Sequence, residues 1–214
     1  GIFVRHDEVI ENLIFSDIVI RTRLHTGWWG NGDPIHLSQI PLGDLHGLSS
    51  EGKKPGIIRN IQFNNMMIES EHGIVLYGYH QGSISDVTFN NIQMEMKNSP
   101  LNETYGGNID LRPAFSNEFA LFKNDIPALL CRNCDRLTIH GFELNWDENM
   151  PLFYTHGIHC NGFKDISITG FSGEGASQDH AAVFLENGEG IRIESIKGNS
   201  GSNFLKTNQV SWTE

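Results

Sequence analysis

The residues with the most evident chemistry lie in the first forty positions of the chain. Arg5 carries a permanent positive charge, and a guanidinium binds a carboxylate through paired hydrogen bonds. Trp28 and Trp29 are adjacent, and an indole face can stack on the C–H face of a sugar ring. Residues of these types can bind a carbohydrate, and an acidic one where Arg5 takes part. The alternatives are a solvated surface arginine and a tryptophan that anchors a loop to the protein body.

Asp33, His36 and His6 are the other candidates for contact with a substrate. Asp33 and His36 lie on or just before the strand predicted to follow Arg5. Stacking of the two strands would place them beside it, where they would hydrogen-bond substrate hydroxyls. The alternative for Asp33 is to cap a glycine-rich turn. His6 follows Arg5 directly, and neighbouring residues of a strand face opposite ways, so only one of the two can point into a cleft.

The composition excludes several classes of protein. The 214 residues include 15 Lys and Arg against 26 Asp and Glu, which gives a net charge of −11. Such a chain is a poor nucleic-acid binder, because phosphate recognition relies on Lys and Arg. The uncharged apolar runs are far shorter than the ~20 residues of a membrane-spanning helix. We therefore predict neither a nucleic-acid partner nor a membrane partner.

We predict no metal and no other cofactor. His156 and His159 are three residues apart, which on a strand puts them on opposite faces, and no acidic cluster demands calcium. Cys131 and Cys134 form a C-x-x-C pair, but no second pair completes a tetrahedral zinc site. Together with Cys160, they are predicted to be buried free thiols in a β core.

A short pattern recurs along the chain. It consists of a polar pair, two apolar residues separated by one residue, a polar or small pair, and a further apolar residue. The first apolar positions of the six copies are Leu13, Ile61, Val87, Leu137, Ile166 and Ile191. Their spacings of 48, 26, 50, 29 and 25 residues indicate a unit of about 25 residues, with a degenerate unit hidden in each long gap.

The repeat predicts an all-β fold. Alternation with period two is typical of strands, and several short strands in each unit without a helical pattern describe a parallel β-helix. About eight or nine coils of ~25 residues would stack at the ~4.8 Å strand spacing, as one domain over residues 1–214. Residues 24–33, 41–56 and 97–124 interrupt the repeat and are predicted to be loops that project from this solenoid.

Residues 33–39, Asp-Pro-Ile-His-Leu-Ser-Gln, resemble the Pro-Ile-x-Ile-x-Gln strand of glycoside hydrolase family 28, the polygalacturonases. Residues 58–66 resemble the next repeat of that family, and residues 1–13 resemble its Arg-Ile-Lys strand and the coil after it. The resemblance covers about residues 1–96. It implies a right-handed parallel β-helix, extracellular or periplasmic, that hydrolyses pectin or a related acidic polysaccharide with inversion and without a metal.

The chain departs from that family at its catalytic motifs. Phe3 stands where the Arg-Ile-Lys motif has arginine, and only Arg5 matches the lysine. The family's Asn-Thr-Asp, Asp-Asp and Gly-His-Gly motifs lie on coils before this strand and are absent here, and His72-Gly73 and His156-Gly157 match the last of them only loosely. We therefore expect no catalytic residue in the chain, a domain truncated at its N-terminus, and no activity of the isolated chain.

Two rival hypotheses come from other classes of protein. One is a carbohydrate-binding or structural β-solenoid without chemistry. The other is a polysaccharide lyase or epimerase on the same fold. A lyase releases unsaturated products that absorb ultraviolet light, which separates it from a hydrolase.

Overall fold

The computed structural model describes residues 1–26, 32–40, 52–111, 121–198 and 204–212. Most of these residues lie in strands and only one short helix is present among them, so the protein is all-β. The strands are β1 (Ile2–Val4), β2 (Val9–Thr22), β3 (His36–Gln39), β4 (Ile57–Ser70), β5 (Ile74–Gly78), β6 (Ile84–Met96), β7 (Asn108–Asp110), β8 (Leu121–Lys123), β9 (Leu129–Trp146), β10 (Ile158–Ser172), β11 (Val183–Glu194) and β12 (Leu205–Trp212). A short helix, α1 (Asn102–Tyr105), precedes β7. Within these residues, no helix is long and apolar enough to cross a membrane.

Ten of the strands form one parallel sheet with two paths that join at β9. One path runs β1-β3-β5-β9-β10-β11-β12, and the other runs β2-β4-β6-β9. The first residues of β9 pair with β5 and its later residues pair with β6, because β9 continues through bends. Every parallel pair needs a crossover connection, so the chain returns to the same side of the sheet after each repeat.

The register of the sheet follows the sequence repeat. The first apolar residues of the six copies form one row across the sheet: Leu13, Ile61, Val87, Leu137, Ile166 and Ile191. The prediction of an all-β, parallel arrangement is confirmed. The prediction of a degenerate unit in each long gap is wrong, because Leu13 pairs directly with Ile61 and Val87 pairs directly with Leu137. The extra residues are insertions between neighbouring layers, where a layer means the strands of one repeat.

Residues with left-handed backbone make the bends within the strands. In the part of β9 that pairs with β6, from Cys134 onward, buried and exposed side chains alternate, except that Arg136 (φ 51°) and Gly141 (φ 65°) each insert one extra residue between buried neighbours. The same two positions in other layers hold mostly Asn, Asp or Gly, which tolerate positive φ: Asn12, Asn60, Asp86 and Asp165, and Asp17, Asn65, Asn91 and Gly170. This requirement explains the polar or small pairs between the apolar positions of the repeat.

Within each row, a side chain packs on a side chain of the same kind in the next layer. The Phe63 ring lies between those of Phe15 and Phe89, with centroids 5.3 and 5.1 Å apart. At the second bend, the Asn65 side-chain amide donates a hydrogen bond to the Asp17 carboxylate at 3.0 Å. Each layer therefore provides both the apolar and the polar contacts that the next layer needs.

The described part of residues 97–124 packs on the sheet. It contains α1 and an antiparallel hairpin of β7 and β8. Ile109 and Leu111 are buried in the common hydrophobic core, and Tyr154 Oη donates a hydrogen bond to Asn102 Oδ1 at 3.2 Å. The prediction of a projecting loop is wrong for this part, because its apolar side chains replace solvent over the sheet.

The cysteines are buried free thiols, as predicted. Cys131 and Cys160 lie opposite each other on β9 and β10. Burial raises the pKa of the Cys131 and Cys134 thiols well above its ordinary value, so both stay protonated and pack as small apolar groups. No group of three His, Cys, Asp or Glu side chains among the described residues is arranged to hold a metal ion.

Candidate functional site

Arg5 and His36 do not lie side by side. β1 pairs with β3 so that Val4 lies opposite Gln39, and the Gln39 side-chain amide donates to the Arg5 carbonyl at 3.2 Å. His36 lies at the other end of the same strand pair, about 13 Å away at ~3.3 Å per residue. The expectation that stacking brings His36 beside Arg5 is therefore wrong, because the two strands pair with a register in which Arg5 is offset by four residues.

His6 forms an isolated antiparallel bridge with Pro55. Trp28 and Trp29 lie outside the described residues, as do residues 41–51 of the second predicted loop. Their contacts with a sugar stay predictions.

Asp33 and His36 do come together, with His72 as a third member of a buried cluster. His36 Nδ1 lies 2.8 Å from Asp33 Oδ2, and His72 Nδ1 lies 2.5 Å from Asp33 Oδ1. The side chains are 6%, 11% and 2% exposed for His36, Asp33 and His72. The Asp33 carboxylate thus faces two histidines inside the protein.

His72 is held as an imidazolium. Its Nδ1 lies 3.1 Å from the Gly73 carbonyl oxygen and its Nε2 lies 2.8 Å from the Asn108 carbonyl oxygen, so both nitrogens must donate. Burial by itself lowers the pKa of His72, but the Asp33 carboxylate and the two carbonyl oxygens together outweigh burial and the pKa is raised. Burial likewise disfavours the Asp33 anion, yet the histidines outweigh it and hold its pKa well below the ordinary value. Because Asn108 begins β7, this ion pair fastens the inserted hairpin to the sheet.

A second candidate site is the outward side of the first four residues of β9, β10, β11 and β12, which we call the β9–β12 face. At the start of β10 and β11, alternate residues are buried and the residues between them point away from the core, whereas β12 is exposed along almost all of its length. The register arranges them in two rows: His159, Phe184 and Lys206, and beside these Arg132, Asn161 and Glu186. Sequence reasoning missed this face. The signal was available in the aligned repeats, because strand positions between buried residues recur in one row.

Hydrogen bonds and ring contacts fix the polar side chains of the β9–β12 face. His159 Nε2 and Asn161 Nδ2 both lie 2.9 Å from Glu186 Oε1. Asn187 Nδ2 donates in turn to Asn161 Oδ1 at 3.1 Å. The Phe184 ring stacks on His159 with centroids 4.8 Å apart and planes at 16°. The face therefore presents pre-oriented planar groups to solvent.

Two cations flank these groups. The Arg132 guanidinium lies 5.0 Å from the Tyr77 ring centroid, and Lys206 Nζ lies 4.8 Å from that of Phe184. Both side chains are exposed, and contact with an aromatic face holds each cation near the sheet. The face is thus locally basic on a chain whose net charge is −11.

His156 lies beside this face, with ring centroids 5.6 Å from His159 and 5.2 Å from His180. The expectation that His156 and His159 face opposite ways is wrong, because His156 precedes β10 and strand alternation does not apply to it. The Ala181 N–H donates to His156 Nδ1 at 3.0 Å. Burial lowers the pKa of His156 to about 4, so the ring is neutral at pH 7.

A groove of about 320 Å³ crosses the later parts of β2, β4, β6 and β9. Glu69, Glu95 and Glu143 lie along it on three adjacent strands. Arg23 binds Glu69 and lowers its pKa, and Lys97 Nζ lies 2.9 Å from Glu95. A general acid for glycoside hydrolysis needs a raised pKa, and ion pairing acts in the opposite direction.

Comparison of the chain with family models, with curated proteins and with solved structures finds no significant match in any of the three. The resemblance of residues 33–39 to the polygalacturonase strand therefore stays a prediction.

Proposed function

We propose that the chain is a right-handed parallel β-helix that binds pectin or a related acidic polysaccharide, as the carbohydrate-binding part of a polygalacturonase-like protein. The observation that carries the proposal is the β9–β12 face, where aromatic, amide, carboxylate and cationic side chains stand in two rows. The right hand follows from the general rule that crossovers between parallel strands of one sheet are right-handed.

The spacing of the face suits an extended sugar chain. Successive layers lie about 4.8 Å apart, so each row offers one side chain for roughly each sugar unit of a polymer lying across the strands. Phe184 offers an apolar ring, while Asn161 and Glu186 offer acceptors and donors for hydroxyl groups. Sites for polar ligands combine such apolar surface with a few fixed polar groups.

The charges favour an acidic sugar. A chain of net charge −11 repels polyanions at long range, so binding of a uronate polymer needs a local cation. Arg132 and Lys206 supply two on the same face. An extracellular or periplasmic location fits a protein that acts on cell-wall polysaccharide.

Hydrolysis by the chain alone is not part of the proposal. Inverting hydrolysis needs one carboxylic acid and one carboxylate at a suitable separation. Where the pKa of a described carboxyl group departs clearly from its ordinary value, at Asp33, Glu69 and Asp86, it is lowered. We therefore expect the chain to bind polygalacturonate without hydrolysing it.

Calorimetric titration with polygalacturonate oligomers tests the binding. The double variant Arg132→Met/Lys206→Met is expected to bind at least about 10-fold more weakly, since it loses two charge-assisted contacts. Arg59→Met is the matched control, because Arg59 is also exposed but lies on β4 and pairs with Glu11. No binding by the unaltered chain, or equal weakening by the control, would refute the proposal.

A further inference from the structure

We propose that His159 and Glu186 form a proton-transfer pair that cleaves a uronate polymer by β-elimination on the β9–β12 face, with His159 as the base. This inference rests on the proposed binding of an acidic polysaccharide to the same face. It adds a reaction to the surface proposed above for binding.

The hydrogen bond to Glu186 determines which nitrogen of His159 can act as a base. An ionised carboxylate only accepts, so Nε2, which lies 2.9 Å from Glu186 Oε1, carries the proton. The lone pair of the neutral ring is then on Nδ1. No described group hydrogen-bonds to Nδ1, and the His159 side chain is 21% exposed. A base with one anchored nitrogen and one accessible nitrogen is the arrangement that proton abstraction requires.

The surroundings keep this ring in one orientation. Phe184 stacks on it at 4.8 Å, and the His156 ring meets it at 5.6 Å with an interplanar angle of 64°. Glu186 is itself held by Asn161, whose side-chain amide donates to the same Oε1 atom at 2.9 Å. Glu186 is therefore a positioning residue, since it orients His159 and stabilises the imidazolium that forms when the proton arrives.

The cations needed for elimination lie on either side of His159. A proton on the carbon next to a carboxylate becomes acidic only when the charge of that carboxylate is neutralised. Arg132 lies on the neighbouring strand β9, opposite Asn161, and Lys206 lies in the His159 row two strands away. At about 4.8 Å per strand and 3.3 Å per residue, both Cα atoms are roughly 8–10 Å from that of His159, within reach of long side chains.

The step balances without an additional reactant. His159 Nδ1 takes the proton from C5 of the uronate, and the C5–H electron pair becomes the C4–C5 double bond. The C4–O bond breaks with its electrons on the leaving oxygen, which takes a proton from water. The imidazolium then returns its proton to the hydroxide left behind.

The same face argues against hydrolysis at this position. Among the six residues of the two rows, Glu186 is the single carboxylate, and it is bonded to His159 and Asn161. Hydrolysis needs a second carboxyl group. Elimination needs one base and a cation, and both are present.

The test uses the full chain, polygalacturonate as substrate, and ultraviolet absorbance to detect the unsaturated product. We expect the unaltered chain to produce absorbing oligomers and His159→Gln to lose at least about 100-fold in rate. His140→Gln is the matched control, because His140 is exposed on β9 away from this face, and it should keep the full rate. Binding of polygalacturonate by His159→Gln, measured by calorimetry, shows that the variant is folded.

The variant Glu186→Gln tests whether Glu186 orients His159 for the reaction or only supports the local structure. It should lower kcat by about 10-fold while KM stays within about two-fold, because the substrate contacts remain and only the orienting charge is lost. Binding without any absorbing product, or product formation that His159→Gln leaves unchanged, overturns the inference and leaves the proposed binding intact. Failure of the unaltered chain to bind polygalacturonate overturns both.

Discussion

His72 and His156 occupy the same position in two layers of the sheet, yet the protein holds them in opposite protonation states. Each precedes a glycine and then an isoleucine, and the two isoleucines, Ile74 and Ile158, both lie opposite Leu129. His72 is a buried imidazolium with a raised pKa, whereas His156 is neutral with a pKa lowered to about 4. The repeated dipeptide therefore determines the position of the ring and not its charge.

The neighbours contributed by other segments make the difference. His72 faces the Asp33 carboxylate and two carbonyl oxygens, which all favour the charged ring. His156 receives the Ala181 N–H on Nδ1, which requires a lone pair there. The lesson is that a repeat fold supplies equivalent sites, and insertions between its layers decide what each site does.

The largest expected effect comes from removing the charge of Asp33, the carboxylate that favours a charged ring at His72 and has no counterpart among the described residues at His156. Asp33→Asn leaves the buried His72 imidazolium without a counter-charge, and we expect a loss of roughly 3–5 kcal/mol in the free energy of unfolding. Urea unfolding at pH 7 measures it. The matched control is Asp86→Asn, because Asp86 pairs with Arg136 in an exposed position and should cost less than about 1 kcal/mol. Equal losses in the two variants would mean that the buried ion pair has no special role.

A second, smaller effect concerns the dependence of stability on pH. His72 has a raised pKa in the folded state, so its contribution is complete below the unfolded value of about 6.5 and is lost as the pH rises through the folded pKa. His156 has its pKa lowered to about 4, chiefly by burial, with repulsion from His159, His180 and Lys206. Between pH 6.5 and 4 the unfolded chain binds a proton there that the folded chain does not, so stability falls as the pH falls.

The two histidines should therefore affect the free energy of unfolding in different pH ranges, His72 above pH 6.5 and His156 below it. We expect His72→Gln to flatten the loss of stability above pH 6.5, and His156→Gln to flatten the loss between pH 6.5 and 4. Urea midpoints from pH 4 to 8 measure both, and groups common to all variants cancel in the differences. Identical profiles for the two variants would contradict the assignment of opposite charges.

The smallest expected effect concerns whether the predicted tryptophan site contributes to sugar binding in addition to the β9–β12 face. If Trp28 and Trp29 contribute stacking to a bound sugar, Trp28→Ala/Trp29→Ala should weaken retention on immobilised pectin by about three-fold, in line with ~0.5–1.5 kcal/mol for an aromatic contact. Arg132→Met/Lys206→Met should weaken it more. Equal retention of the tryptophan variant and the unaltered chain would leave the β9–β12 face as the proposed site.

Much of the fold was predictable because its contacts repeat. The row from Leu13 to Ile191 is visible as a pattern of apolar residues, and parallel stacking follows from it. The long gaps were misinterpreted, since spacing alone does not distinguish a degenerate layer from an insertion such as α1 and its hairpin. Asp33 and His36 were both identified as candidate site residues, but their contact with each other and with His72 was not predicted, because only the folded chain brings His72 to Asp33.

The sequence by itself determined the all-β class, the repeat, the row of apolar residues and the burial of the three cysteines. These properties depend on local alternation and on residue type, which a linear pattern contains in full. Only the tertiary structure decided that Arg5 and His36 lie apart, that His72 is charged and His156 neutral, and that His159 meets Glu186. These depend on register and on groups brought from distant segments, and electrostatic interactions over a few ångströms follow spatial distance rather than distance along the chain.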